Sequence, residues 1–231
     1  MTAIANNYSY IFCGSSAWSA TILKSLIDNN LQPQLVITKI DKPAGREKTV
    51  SLNPVARFAQ ENKIACQQVK NKNDFFTVIS QQKLDFVVVV DFGIIITQET
   101  LDLPRFGFIN VHPSLLPKYR GTSPVQSAIL NNDPETGISI MKLDADIDHG
   151  PIFWQQTVKI DKNDTTGTLL DKLLPVASEG LLEVIYNIEK LIPVEQNHDL
   201  ATITKKVLPC DCELNLNLPA HQLVQIIKAS Q

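Results

Sequence analysis

The sequence predicts an α/β chain with a Rossmann-like, mostly parallel sheet and helices on both of its faces. Three observations predict this class. The first is a β-turn-α-β opening. An apolar run at residues 8–13 leads through Gly14-Ser15-Ser16 into apolar residues at helical spacing over 17–29 (Ala17, Ala20, Leu23, Leu26, Ile27). A second apolar run, Leu35-Val36-Ile37, follows, so the order is that of a parallel pair joined by a crossover helix. The second is that strand-like and helix-like stretches keep alternating after this opening. The third is Phe86-Val87-Val88-Val89-Val90, continuous and β-branched with no polar alternation, as in a central strand covered on both faces.

The elements follow in order. Pro54 to Asn62 is predicted helical, Ala65 to Val69 a short strand and residues 74–82 a helix. After the central strand, Thr97 opens a short helix to Leu101, and Phe106 to His112 is the next strand. A helix over 124–130 precedes paired strands at 137–143 and 152–160, then a longer helix over 166–190 with a kink expected at Pro175. Beyond 190 the pattern breaks into short alternating pieces punctuated by Pro193, Pro209 and Pro219, with a last helix at 219–229. Gly14 stands without further glycines over residues 15–20. The Gly-x-Gly-x-x-Gly turn of a dinucleotide site is therefore missing, and Gly14 reads as the one permissive residue of a strand-to-helix turn.

Composition narrows the class. Of 231 residues, 44% are apolar and 19% charged, which suits a globular enzyme with a sizeable core. The net charge of −3, from 21 basic and 24 acidic residues, excludes a nucleic-acid footprint spread over the whole chain. Any RNA contact must come from a local patch. The four cysteines (Cys13, Cys66, and the pair Cys210 and Cys212) lack further ligands at zinc spacing, and His198 and His221 flank the pair at no standard distance. Reduced, unpaired thiols and no metal are expected. No basic n-region with an apolar h-region opens the chain. No stretch reaches the ~20 apolar residues of a membrane span, so a cytoplasmic protein without a membrane partner is expected.

Chemistry concentrates between Asn110 and Gly121. Asn110 and His112 lie two apart at the end of an apolar strand, on one face of it, where open α/β sheets keep their sites. Pro113 and Pro117 bracket the turn that leaves the strand. The same pair is also consistent with two polar residues that cap a strand and bond to loop backbone. Downstream, Asp144, Asp146 and Asp148 alternate before Gly150-Pro151. A solvated turn or a loose cation site accounts for such spacing too, but no Glu stands at the twelfth position, which excludes an EF-hand loop.

The run Asn110-Val111-His112-Pro113-Ser114-Leu115-Leu116-Pro117-Lys118-Tyr119-Arg120-Gly121 resembles the signature of the folate-dependent formyltransferases and their hydrolase relatives. Asp148, within Ile147-Asp148-His149-Gly150-Pro151, matches the family's catalytic aspartate, and Asp133-Pro134-Glu135-Thr136-Gly137 resembles the segment between the two motifs. The resemblance covers nearly the whole chain. It implies the formyltransferase fold, a catalytic domain over 1–190, and a connector with a terminal helix over 191–231, the family's C-terminal barrel domain being absent. It implies 10-formyltetrahydrofolate as co-substrate, held near Phe92, Gly93, Ile94, Ser114, Leu115, Leu116, Pro117, Asp144 and Asp146. It also implies catalysis by Asn110, His112 and Asp148. Formyl transfer passes through a tetrahedral centre whose oxyanion an Asn amide and a His imidazolium can both stabilise. A nearby carboxylate favours the charged ring and can take the proton of the attacking amine, directly or through a water.

Members of the family differ in the amine they formylate. Asp41-Lys42-Pro43-Ala44-Gly45-Arg46-Glu47-Lys48, followed by Asn53-Pro54-Val55, is similar to the loop with which methionyl-tRNA formyltransferases enter the tRNA acceptor arm. Lys42, Arg46 and Lys48 would meet phosphates there. Gly121-Thr122-Ser123-Pro124-Val125-Gln126 and Ala201-Thr202-Ile203-Thr204-Lys205-Lys206 resemble two further segments of the tRNA enzymes. The expectation is formylation of initiator methionyl-tRNA by a monomer. A nucleotide-linked amino sugar or another small amine as acceptor, and an inactive folate- or RNA-binding module, stand as alternatives.

Overall fold

The computed structural model describes residues 8–41, 43–44 and 49–231. In chain order its elements are β1 (Tyr10–Gly14), α1 (Ala17–Asp28), β2 (Leu35–Lys39), β3 (Pro43–Ala44), β4 (Thr49–Val50), α2 (Pro54–Glu61), β5 (Cys66–Val69), α3 (Lys72–Ser80) and β6 (Phe86–Val90). There follow α4 (Gln98–Leu101), β7 (Phe108–His112), β8 (Arg120–Gly121), α5 (Pro124–Leu130), β9 (Glu135–Lys142), β10 (Ile152–Lys159), α6 (Thr166–Asn187), β11 (Ile203–Thr204) and α7 (Ala220–Ala229). Seven strands form one sheet in the order β10-β9-β7-β6-β1-β2-β5. The pairs β1–β2, β1–β6, β2–β5 and β6–β7 are parallel, and β9–β10 is antiparallel. The predicted α/β class holds.

The chain divides into two compact units. The first is built from the chain up to Val111 together with Lys142–Ala145 and Ile185–Glu189. Every residue of β1 and β6 is buried, as the unbroken apolar runs require. One face of β1, β2 and β6 (Ile11, Cys13, Ile37, Val87, Val89) packs in a single cluster with Phe75 and Ile79 of α3 and Leu101 of α4. Helices start where the sequence supplies caps. Ser16, Asn53 and Asn71 each accept backbone N–H groups of the first turns of α1, α2 and α3, and Pro54 takes the first helical position of α2.

Gly14 has a different reason from the expected one. A Cβ there would lie 2.7 Å from Ser19 Cβ and 2.9 Å from the Val90 carbonyl oxygen. Close packing of α1 and β6 on the β1 exit, not backbone freedom, excludes a side chain. The Ser19 hydroxyl donates to that same carbonyl at 2.7 Å.

The second unit holds His112–Met141, Asp146–Val184 and Lys190–Gln231. In α6, Leu169, Leu173, Ala177, Leu181 and Val184 are buried at the spacing of one helix face. The helix runs as one element with Pro175 inside it. Helix α5 packs on α7. The stretch 191–231, expected as a connector and terminal helix, lies within this unit. It contributes β11, two 3-10 turns at His198–Leu200 and Pro209–Cys212, and α7. Strand β11 pairs in parallel with β8. Two-residue strands carry no periodicity, so neither β8 nor β11 is predicted from the sequence.

Candidate active site

Strand β7 delivers Asn110 and His112 at its C-terminal end. Both are buried, at 9% and 4% exposure. Two residues apart, they share a face of the strand. His112 Nε2 lies 2.9 Å from the Tyr119 carbonyl oxygen. A carbonyl only accepts, so Nε2 carries the proton and donates. The other nitrogen, Nδ1, stands 3.6 Å from Asp148 Oδ2. The imidazole is thus fixed by one edge and faces a carboxylate with the other.

Asp148 is placed by its backbone and by a neighbouring loop. Its φ of 47° lies in the left-handed region, which Asp visits more readily than most residues. Its Oδ2 accepts the Gly121 N–H at 2.8 Å. Gly121 itself has φ 101°, and a Cβ there would come within 2.6 Å of the Thr204 carbonyl oxygen. Only glycine satisfies both demands while presenting this N–H.

The remaining expected residues fall in separate settings. The Ser114 hydroxyl donates to the Lys118 carbonyl at 2.6 Å, and the Ser114 carbonyl accepts from Ser139 at 2.7 Å. The Leu116 N–H donates to Ser139 Oγ and its carbonyl accepts from Gln155 Nε2. Ser114 and Leu116 are buried, while Leu115 and Pro117 are half-buried. In the first unit, the Phe92 ring is buried and packs 5.2 Å from that of Phe75. This anchors the loop after β6 and leaves its ring inside the core. Gly93 has φ 62°, Ile94 is half-buried and Ile95 is 82% exposed. Asp144 is half-buried and Asp146 exposed. Lys42, Arg46 and Lys48 lie outside the described residues.

The structure adds side chains that the sequence did not single out. Lys39, at the end of β2, brings Nζ within 2.6 Å of where a Gly93 Cβ would stand, so a cation borders the loop after β6. Arg120, Gln196, Thr202 and Thr204 surround the loop after β7. Thr202 Oγ1 accepts the Tyr119 N–H at 2.8 Å, and the Thr202 carbonyl accepts the Arg120 N–H at 2.8 Å. Arg120 is buried at 8% exposure, and a buried guanidinium demands partners, but its sequence neighbours Lys118 and Tyr119 gave no sign of that burial. Nothing near residue 196 identified that partner.

Two further points concern metals and thiols. Among the described residues, no group of three or more His, Cys, Asp or Glu side chains is arranged to hold a metal ion. All four cysteines are free, and burial pushes the Cys13 thiol well above its ordinary range. His198, beside the Cys-x-Cys segment in sequence, has Nδ1 taken by Arg120 Nη2 at 2.8 Å, and its ring stacks on that of His149 at 3.9 Å.

Comparisons with known proteins address the family of the chain. The sequence pattern of the Formyl transferase family matches residues 7–185. The methionyl-tRNA formyltransferase of Ehrlichia canis (strain Jake) is 37% identical over 227 residues, spanning 95% of this chain and 73% of the relative. That of Wolbachia sp. subsp. Drosophila simulans (strain wRi) is 40% identical over 202 residues, spanning 85% of this chain and 67% of the relative. Among solved structures, the N-formyltransferase from Helicobacter canadensis in complex with folinic acid and dTDP-3-aminofucose superposes with a TM-score of 0.75 over 96% of this chain and 80% of that one. At 21% identity that likeness is one of fold. The family pattern takes in most of the chain, and relatives above a third identical follow nearly all of it. The chain belongs to the formyl transferase family.

Proposed function

We propose that this chain transfers the formyl group of 10-formyltetrahydrofolate to the amino group of methionyl-tRNA, as a cytoplasmic enzyme. The observation that carries the chemistry is the His112–Asp148 pair, with Nε2 committed to the Tyr119 carbonyl and Nδ1 turned to the carboxylate. The acceptor rests on the relatives at 37% and 40% identity.

The amine nitrogen adds to the formyl carbon, and the carbonyl π pair moves onto oxygen. Asn110, through its amide N–H, and His112, through Nδ1–H of the imidazolium that carries a proton on both nitrogens, donate to that oxyanion. The amine gives up a proton to Asp148, directly or through a water. When the tetrahedral centre collapses, the bond from carbon to N10 of the folate breaks. N10 takes up a proton, and tetrahydrofolate and the N-formyl product leave. No covalent enzyme intermediate is needed.

The deciding assay measures formyl transfer from 10-formyltetrahydrofolate by the purified chain, with methionyl-tRNA and a nucleotide-linked amino sugar as parallel acceptors. Transfer to the tRNA is the expected result. Transfer to the sugar alone replaces the acceptor, and transfer to neither removes the reaction.

A further inference from the structure

The strongest unassigned feature is a buried polar strut in the second unit, formed by Arg120 and Gln196. The bridge between Ile152 and Val194, two backbone hydrogen bonds of 2.8 Å each, lays the chain after residue 190 beside the segment after Asp148. Gln196 follows two residues later and is buried at 6% exposure. Its amide is fully used. Oε1 accepts from Arg120 Nε at 3.2 Å and Nη2 at 2.7 Å. Nε2 donates to the carbonyl oxygens of Asp148 at 2.9 Å and Gly150 at 2.7 Å.

We propose that Gln196, seated on Arg120, is a positioning residue that holds the left-handed turn at Asp148 and so aims its carboxylate at His112. The inference rests on the formyl-transfer reading above. A residue at φ 47° persists only where its surroundings over-determine it. Here two carbonyls two residues apart are pinned by one flat amide. The Arg120 residue that anchors this amide is followed by Gly121, whose N–H holds the Asp148 side chain. Backbone and carboxylate of Asp148 are therefore fixed from the same short strand, β8. Strand β8 is fixed in turn by β11 and by Thr204, whose hydroxyl donates to the Arg120 carbonyl at 3.0 Å. The segment from 194 to 204 thus supports Asp148 through Gln196 and through β11.

Chemistry separates this role from simple packing. A Glu at 196 keeps the volume and the contact with Arg120, but it replaces both donors with acceptors facing two carbonyls. If Gln196 only anchors Arg120, Q196E is silent. If it positions Asp148, Q196E fails. The test uses the full chain with 10-formyltetrahydrofolate and methionyl-tRNA. Q196E is expected to lower kcat roughly 10- to 100-fold, the scale of an ångström-level misplacement of a reacting group. The KM for the folate should stay within about two-fold of the parent value, and the pH profile of kcat should move. Because Gln196 acts through Asp148, adding Q196E to D148A is expected to cost no further kcat. A Q196E enzyme with parental kcat and pH profile per folded molecule overturns the proposal, as does a further loss on top of D148A. Should Q196E not fold, the double variant R120M/Q196M, which removes the buried guanidinium together with its partner, takes its place: parental kcat and pH profile overturn the proposal, and a loss of kcat that vanishes on the D148A background supports it. A parent chain that transfers formyl to neither acceptor is a separate failure, that of the reaction itself.

Discussion

At the scale of single residues, the arrangement around His112 makes a graded prediction. Asp148→Asn keeps the shape of the side chain and an oxygen for the Gly121 N–H, but it removes the charge that faces Nδ1 and, on the proposed mechanism, the base for the amine proton. Asn110→Ala removes one proposed oxyanion donor and leaves the His112–Asp148 pair in place. Loss of such a donor costs about 10²–10³ in kcat, so Asn110→Ala should fall in that range. Asp148→Asn should lose at least as much, with the folate KM little changed in both. Initial rates of formyl transfer check this, and near-parental kcat in either variant removes that residue from the machinery. The residues proposed for catalysis stand out in the sequence because they are local in it. Asn110 and His112 share a strand end, and Asp148 stands in a short acidic turn. The residues that hold them were not legible. Gln196 lies 76 positions from Arg120, and no spacing rule connects an amide to a guanidinium across that distance. Gly14 shows the same limit, since its lack of a side chain answers to Ser19 and Val90, which only the folded chain brings together.

At the scale of elements, legibility followed length. Strands of five residues with continuous apolar character and helices of eight or more with a cap were readable. Each boundary moved by only a few residues, because periodicity fades at the ends while capping sets them. β3, β4, β8 and β11 have two residues each, and tertiary pairing alone creates them. The start of α6 offers a test of how one such end is secured. The Asp164 carboxylate is buried just before the helix. It accepts the Asp161 N–H at 2.7 Å, the Thr168 hydroxyl at 3.2 Å and the Lys172 ammonium at 2.7 Å. Burial works against its charge, but the hydrogen bonds from Lys172 and the Asp161 backbone, the charge of Lys172 and the Thr168 hydroxyl outweigh it and hold the carboxyl below its ordinary value. The sign follows from linkage. A carboxyl depressed on folding adds stability above its unfolded pKa, about 3.9, and loses it as pH falls through the folded value. Asp164→Asn is therefore expected to destabilise the chain by about 1–3 kcal/mol at neutral pH. The gap to the parent should close below about pH 4. Denaturant unfolding at several pH values measures it, and a gap that stays constant into acid shows that charge is not what secures the helix start.

At the scale of the molecule, the balance of charge constrains how a polyanionic acceptor is reached. With a net charge of −3, the long-range field does not favour tRNA, so attraction must be concentrated in a local cationic patch. The sequence offers Lys42, Arg46 and Lys48 within seven residues, adjoining in sequence the paired segments Pro43–Ala44 and Thr49–Val50. Phosphate contacts of this kind release counterions, and each contributes roughly 0.7–0.9 to the slope of log affinity against log salt. Replacing all three by Ala is therefore expected to raise the KM for methionyl-tRNA and flatten the salt dependence of kcat/KM by about 2–3 in slope. The folate KM should stay as it was, because the formyl donor does not depend on phosphate contacts at that loop. Steady-state rates over a range of salt concentrations, with each substrate varied in turn, give all three quantities. An unchanged salt slope would place the tRNA contacts elsewhere on the chain. A parallel loss of folate affinity would mean that the loop supports the catalytic site and does not grip the acceptor. The two sides of the reaction are then separable by salt. On the proposed reading the acceptor is gripped through charge at residues 42–48, whereas His112 and Asp148 are screened little by salt because both side chains are largely buried.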